Sequence, residues 1–594
     1  MDCINNNSCI DDRLSSKPDQ SQTGPPSGTY AGREVIERDK KEFSLLLDLP
    51  EDIQSKIFTY LQARDIAHLR RVNSCINNRL ENDDAMARAW YRRLASSQQT
   101  RLQRIVTTKD KDELRKWLQR FTKDEALIKS IMDRQASIHF PALFFSTLTK
   151  LMCQCKAFKL ETKATIPCNS SRDLASFSAD GRHLVIACDS RTYKIYDKQS
   201  DESWVAKSTI SHDRFVRSAT FSADSRHVLT YSDDGKAKIY GKKDERSWEE
   251  KATISHDNSV KFATFSKDGR YVVTTGLDCR VKIYGQSDDG SWAEKAIIPH
   301  NEALYPATFS PDSRCVVTAT MNCKAKIYSR KNDGSWLEKA IISHFVSVKF
   351  SSDSRHVVIA RKNGSAKIYK LNADGSWQEK TIISHNGEII SAEFSPDSRC
   401  LMTSSNDGKA IICGQDKDGS WKEKATLSHY LGVFSAKFSA DSRHLVTASL
   451  DSKAKIYGKK DDGSWEEKAI ISHNIGVYFA TFSPDSRHVI TCGIDNTVKI
   501  RGLTINGSWK EKAIISHDRG ISLATFSVDG RYVVTVDRDG TVNIYGQNSD
   551  GSWEEKATSS HSGRIESAIL SADDRLLTTH DTGKARITEL SMNE

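Results

Sequence analysis

Cysteine pairs at useful spacing, long apolar runs and a concentrated basic stripe are all missing from this 594-residue sequence, and each absence excludes a class. Its 13 cysteines are scattered, and the only close pair, Cys153 and Cys155, has no second pair at ligand spacing. That pattern excludes a disulfide framework and a zinc site, and points to a reducing compartment. No apolar run approaches 18 residues, and the start MDCINNNSC has no basic segment followed by an apolar one. Neither a membrane span nor a secretory signal is therefore expected, and the expected location is cytoplasmic. The net charge is +9, but the densest basic segment, Arg64 to Lys129 with 16 basic and 9 acidic residues, reads as amphipathic helix, as in DELRKWLQRF. Its lysines and arginines belong to a solvated helix face, so no nucleic acid is expected. No nucleophile elbow is present, which argues against a hydrolase, and no cofactor is expected.

What is present changes character along the chain. Residues 1–40 are rich in Ser, Asn, Gln, Asp and Pro and offer too little apolar surface to offset ordering entropy, so they read as a disordered leader. From Leu45 to about Gln135 apolar residues recur at helical spacing, glycine is absent and Pro50 is the only proline. After a mixed stretch around PALFFSTLTKLMCQC the period changes near Phe158 and stays changed.

The remainder repeats itself. Residues 211–254 and 255–298 align without a gap, and the His of an SH pair recurs at His212, His256, His300, His344, His385, His429, His473, His517 and His561, every 44 residues except one step of 41. Cys168 holds that slot one period earlier, giving ten units. Runs such as VRSATFS, RHVLTYS and KAKIYG, separated by SADS and DDG turns, predict strands. A fourth run, SWEEKATI, carries charge suited to an outer edge. Four-strand units of this period bury their faces by stacking around an axis as a propeller. The opening FKLETKATI matches the fourth strand and the closing ARITEL an inner one, so the first strand is expected to complete the last blade and close one ring of about ten four-stranded blades, with two smaller rings or an open array as the alternatives.

SH, FSPDSR, a following Asp or Asn and IYG resemble the marks of the WD-repeat family. The resemblance implies a hydrogen-bonded set in each blade: His212, Thr230, Asp234 and Tyr240 in unit two, and His256, Thr274, Asp278 and Tyr284 in unit three, with Tyr for the family's Trp. Units one and ten are worn, with Cys168 and Ser190 replacing His and Asp in the first. A second stretch, LPEDIQSKIFTYLQARDIAHLRRVNSCINNRLENDDAMARAWYRRL, resembles the F-box, although the family's usual Trp is replaced near Ile76. Leu49, Pro50, Ile53, Ile57, Phe58 and Leu61 match positions that in the family face a Skp-type adaptor or support the helix that does. The implied fold is multidomain: a leader at 1–40, a small all-α F-box domain at 41–95, a helical linker at 96–157 and an all-β WD-type propeller at 158–594. The implied function is non-enzymatic: substrate recognition for a cullin-based, SCF-type ubiquitin ligase, the F-box reaching the cullin through the adaptor and the propeller holding a protein target. Such arrays also occur in bacterial effectors, for which the location would be the host cytosol. A WD-repeat scaffold without a ligase role is the rival reading.

The equally spaced histidines sit in different blades and cannot share one ion, and the tryptophans at 204, 248, 292, 336, 377, 421, 465, 509 and 553 are expected to pack blades. Units differ most after the His and just before the Asp, in loops that in WD propellers share the partner-binding face. Arg172, Arg191, Arg214, Arg519, Arg538 and Arg564 occupy such loops in units one, two, nine and ten, which become neighbours if the ring closes. Guanidinium groups converge on carboxylate or phosphate, so an acidic or phosphorylated target is expected there. Unit five has lost three residues between His344 and Phe350 and has Arg361 and Lys362, which suggests a notch as a second candidate.

Overall fold

The computed structural model describes residues 85–592 apart from 93, 95, 169–174, 200, 245–246, 303, 321–323, 332–333, 344–346, 362, 505, 528, 549–550, 561–564, 572, 574 and 581–583. Leu49, Pro50, Ile53, Ile57, Phe58, Leu61, Arg172 and Arg564 lie outside the described residues. Two compact units separate, a helical one holding residues 110–156 and a β unit holding 107–109, 157–546 and 555–594.

Five helices are described: α1 (Ala85–Tyr91), α2 (Ser96–Thr107), α3 (Lys111–Gln119), α4 (Glu125–Met132) and α5 (Phe140–Gln154). A capping box starts α3: the Asp110 carboxylate accepts the Glu113 N–H at 2.8 Å, and Glu113 accepts the Asp110 N–H at 3.0 Å. Its apolar stripe, Leu114, Trp117 and Leu118, is buried. The mixed stretch after residue 139 proves to be the 15-residue α5, with Pro141 in its first turn, where a missing N–H costs nothing. Phe140, Phe144, Phe145, Leu148 and Met152 are buried, and Trp117 packs against Phe144, tilted, and Phe145, edge-on, at centroid distances of 5.2 and 5.8 Å. A helix apolar on most sides has no clear 3.6-residue stripe, so periodicity does not reveal it.

The β unit is a ten-blade propeller: forty strands form ten four-stranded sheets. In blade 2, β6 (Val216–Phe221), β7 (His227–Ser232), β8 (Lys236–Lys242) and β9 (Trp248–Ser255) pair in chain order. The second strand is almost wholly buried, whereas β9 buries only Trp248 and Ile254 and leaves its Glu and Lys residues at the sheet edge. Charge there keeps unpaired backbone from recruiting another strand. Blades stack through shared cores. Val185, Tyr193 and Ile195 of blade 1 pack with Val216, Val228, Tyr240 and Trp248 of blade 2. Hydrogen bonds staple the same seams, the Asp180 N–H donating to Ser225 Oγ at 3.2 Å and the Asp353 N–H to Ser398 Oγ at 3.0 Å. Those serines hold φ of +63° and +61°, left-handed values that the turn imposes.

The ring closes as the strand count predicts. β1 (Phe158–Pro167) is the edge strand of blade 10, antiparallel to β40 (Lys584–Met592) from Phe158↔Met592 to Pro167↔Lys584, with a bulge between Thr162 and Ala164. Ile166 joins Leu184 and Ile186 of blade 1 and Leu577 and Ile587 of blade 10 in one core. Blade 10 shortens its turn by one residue, so Arg575 takes the place that His227 holds in blade 2, as the bonds Ser571 N→Arg575 O and Ser222 N→His227 O show. Arg575 is buried and pairs with Asp573, with Glu589 at 3.0 Å and with Glu202 of blade 1 at 3.4 Å. Lys109, which belongs to this unit, reaches Asp573 at 3.1 Å. Burial raises the Asp573 carboxyl, but the cations Arg575 and Lys109 outweigh it and hold the group far below the carboxylate range. Gly181 makes this seam possible, because a Cβ there would lie 2.7 Å from Asp573 Oδ1.

The strand β18 (Ser347–Phe350) of blade 5 has four residues where β6 has six, as the three-residue deletion requires. Residues 344–346 and Lys362, which would shape the expected notch, lie outside the described residues.

Two measurements check closure. Replacing Ile166 by Ala removes apolar contact on both sides of the seam and should cost about 2–5 kcal/mol in denaturant unfolding. A chain beginning at Asn169 should lose its single cooperative thermal transition while one beginning at Ala157 keeps it; equal transitions would contradict the closing role of β1.

Candidate protein-binding face of the propeller

The variable loops are anchored by a buried polar set at their base. In blade 2, His212 Nδ1 meets Asp234 Oδ2 at 2.9 Å and Nε2 meets Thr230 Oγ1 at 3.0 Å. Asp234 also accepts the Asp213 N–H at 3.0 Å and the Lys236 N–H at 2.8 Å. One carboxylate therefore clips together the loop after the His and the turn after the Asp. Blade 3 repeats the set with His256, Thr274 and Asp278, blade 6 with His385, Thr403 and Asp407, blade 7 with His429, Thr447 and Asp451, and blade 8 with His473, Thr491 and Asp495. Each histidine is thus committed within its own blade.

The tyrosines do not join. Tyr240 Oη donates to Glu250 at 3.3 Å and Tyr284 Oη to Glu294 at 3.4 Å, each being the residue directly opposite on the fourth strand. The phenol takes the acceptor that strand register presents, and burial together with Glu250 pushes the Tyr240 hydroxyl up to about 12. Other blades depart further. In blade 1, which lacks the Asp, Asp189 accepts the N–H groups of Arg191 and Thr192 at 2.7 and 2.8 Å. In blade 9, Asp537 takes over, accepting the Asp539 and Thr541 N–H groups at 3.0 and 2.8 Å, and the Asp539 carboxylate lies at the surface, paired with Arg519.

Burial lowers the pKa of His212, His256, His385, His429 and His473, with their Asp partners acting against it. His300 is lowered to about 4 by burial and Lys326.

Of the six arginines proposed from sequence, Arg191, Arg214, Arg519 and Arg538 are described, and all four side chains are exposed on variable loops. Closure makes blades 9, 10, 1 and 2 consecutive, so the four blades that carry the six arginines do form one sector. Arg519 is matched by Asp539 at 2.8 Å, which reduces its availability to a ligand. A further ionic group in the same loops was not singled out from sequence: Arg217 makes a paired contact with Asp233 at 2.7 and 2.9 Å, and Lys261 of blade 3 reaches Asp233 at 3.3 Å. The same slots carry apolar residues in blades 7 and 8, a difference between units that the sequence shows, and the structure leaves them exposed.

Segments 204–241, 248–285, 376–413, 421–458, 465–501 and 509–546 match the WD domain, G-beta repeat, and residues 46–84 match the F-box domain. The β unit is therefore a WD-repeat propeller. The same chain carries an N-terminal F-box match, as F-box/WD-repeat proteins do. Among solved structures it is similar to Sqt1 from Chaetomium thermophilum, at 14% identity and a TM-score of 0.40 over 56% of this chain and 97% of that one. The C-terminal WD40 domain of Sif2 is also similar, at 15% identity and a TM-score of 0.38 over 56% of this chain and 95% of that one. No curated protein matches the chain.

The buried histidines give a pH test. Their folded pKa values lie below the ordinary 6.5, so the unfolded chain takes up protons first as pH falls. Stability should be full above pH 6.5 and decline down to about 4, the value of His300, with Tm measured by calorimetry. In blade 7, Asp451→Ala would leave the buried His429 Nδ1 unpaired, costing about 1–3 kcal/mol, and would hand the Tyr430 and Lys453 N–H groups to water, loosening the loop.

Proposed function

We propose that this chain is the substrate-recognition subunit of an SCF-type cullin-RING ubiquitin ligase. The observation that carries the reading is the occurrence, in one chain, of an F-box match at 46–84 and a WD-repeat propeller. The F-box binds a Skp-type adaptor, and through it a cullin, by way of Leu49, Pro50, Ile53, Ile57, Phe58 and Leu61 in LPEDIQSKIFTYL. The propeller holds a protein target. The chain needs no nucleophile of its own, because a receptor accelerates transfer by raising the effective concentration of a target lysine near a loaded conjugating enzyme. The helical stretch from about residue 100 to 135 serves as a spacer. Arg191, Arg214 and Arg538, exposed and without a described ion pair, with Arg172, Arg519 and Arg564 beside them in the repeat, favour an acidic or phosphorylated target.

Leu49→Ala with Pro50→Ala should abolish co-purification with a Skp-type adaptor and leave the propeller's thermal transition in place. Undiminished adaptor in the double variant would contradict the ligase assignment and leave a WD-repeat scaffold. The triple change Arg191→Ala, Arg214→Ala and Arg538→Ala should weaken target capture at low salt and flatten its salt dependence. Equal capture by the triple variant would remove this sector as the site.

A further inference from the structure

The face that carries the arginines is mostly polar over blades 2 and 3. In blade 2 the slots in and beside the loops hold Asp213, Arg214, Arg217 and Asp233, and in blade 3 Asp257, Asn258, Lys261 and a single exposed apolar residue, Leu277. In blades 7 and 8 the corresponding slots hold Tyr430, Leu431, Phe434 and Leu450, then Ile475, Tyr478 and Ile494. Tyr430 is 92% exposed and the other six are between 37% and 53% exposed.

These residues are contiguous. Leu431 O accepts Ser449 Oγ at 2.9 Å, next to Leu450. A Cβ on Gly476 would lie 2.8 Å from Leu450 Cδ2, so this glycine lets the blade 8 loop close onto the blade 7 side chain. Gly476 O accepts the Ile494 N–H at 2.8 Å, and Tyr478 Oη donates to Ile521 O of blade 9 at 3.0 Å. The recurring His–Thr–Asp clip below holds the patch in place, since the N–H of Tyr430 donates to Asp451 at 3.0 Å and that of Asn474 to Asp495 at 2.8 Å.

Charge brackets the patch asymmetrically. On the blade 9 side, Arg538 lies over Gly520, 3.1 Å from where a Cβ would stand, exposed and without a described ion pair. On the blade 6 side, Gly432 abuts Asn406, whose N–H donates to Glu388 O at 3.0 Å, and the Glu388 side chain is exposed. Exposed apolar surface of this continuity marks an interaction site, because soluble proteins rarely leave it open to water. We propose that blades 7 and 8 form a docking site for an extended segment of a partner protein that carries bulky apolar side chains and an acidic residue. The apolar side chains cover Tyr430, Leu450, Ile475 and Ile494, and the carboxylate meets Arg538. This rests on the reading of the propeller as the part that holds a protein, and is independent of the ligase connection.

The probe is a short fluorescein-labelled peptide on a Gly-Ser background with Leu and Phe followed by glutamates, titrated by anisotropy into the full chain. Two control peptides replace the apolar residues by Ser or the glutamates by Lys. The parent peptide should bind, and both controls should bind more weakly. Tyr430→Ser, Ile475→Ser and Ile494→Ser together should raise Kd by about tenfold or more, equivalent to at least about 1.4 kcal/mol. Leu277→Ser, the same slot in blade 3, should leave Kd unchanged, and Arg538→Glu should reverse the preference to the Lys peptide. Equal binding by the triple Ser variant, or no binding of the parent peptide by folded protein, overturns the proposal. So does self-association in sedimentation that the triple Ser change abolishes, since a second copy would then be the occupant. Adaptor co-purification is read separately, so loss of the ligase assignment and loss of this site are distinguishable.

Discussion

Everything in the β unit depends on the pairing of β1 with β40. Each blade buries its faces only against its neighbours, so an unclosed array would leave apolar surface uncovered at both ends and a bare strand edge at one. Nine antiparallel residue pairs, the shared core around Ile166, and the buried Asp573, Arg575 and Glu589 with the half-buried Glu202 act at the same seam. The ionic set contributes through its geometry: Arg575 inside a dry seam is tolerable only when several carboxylates meet it, and the loss of any one leaves buried charge.

Closure supplies the frame, and the His–Thr–Asp clip converts that frame into a display surface. The same carboxylate receives the N–H after the histidine and the N–H two residues beyond the aspartate, as Asp451 does for Tyr430 and Lys453. Backbone position is thereby fixed with no demand on the side chains between. Those positions are free to carry Arg214 in one blade and Leu431 in another, above the same clip. Where the clip shifts, as at Asp537, a charge is released to the surface, and Asp539 pairs with Arg519.

The architecture was legible because it is periodic. The 44-residue spacing of histidines gave the blades, and the likeness of FKLETKATI to SWEEKATI gave the closing strand, since strand identity follows from alternation and edge charge. Pairings of His212 with Thr230 and Asp234 followed from the family resemblance. The partner of Tyr240 did not, because the family's Trp donor sits where a longer phenol reaches the facing Glu250 instead. Helix α5 was obscured by its own burial, since Phe140, Phe144, Phe145 and Leu148 leave no polar stripe to count. The arginines stood out as charges, but whether a loop side chain is exposed or paired depends on its neighbours across blades. Sequence therefore did not separate Arg519, held by Asp539, from Arg538, nor mark Tyr430 as almost fully exposed. The F-box was read from LP, YL and the AWYRRL close; the match at 46–84 covers LP and YL and ends before AWYRRL at 89–94.

Amide hydrogen exchange along β1 tests closure most directly. If β1 completes blade 10, the amides from Lys159 to Ile166 that face β40 should exchange only with global unfolding, as slowly as those of β7. Exchange of the β1 amides at the rate of an exposed loop, with β7 still protected, would contradict a closed ring.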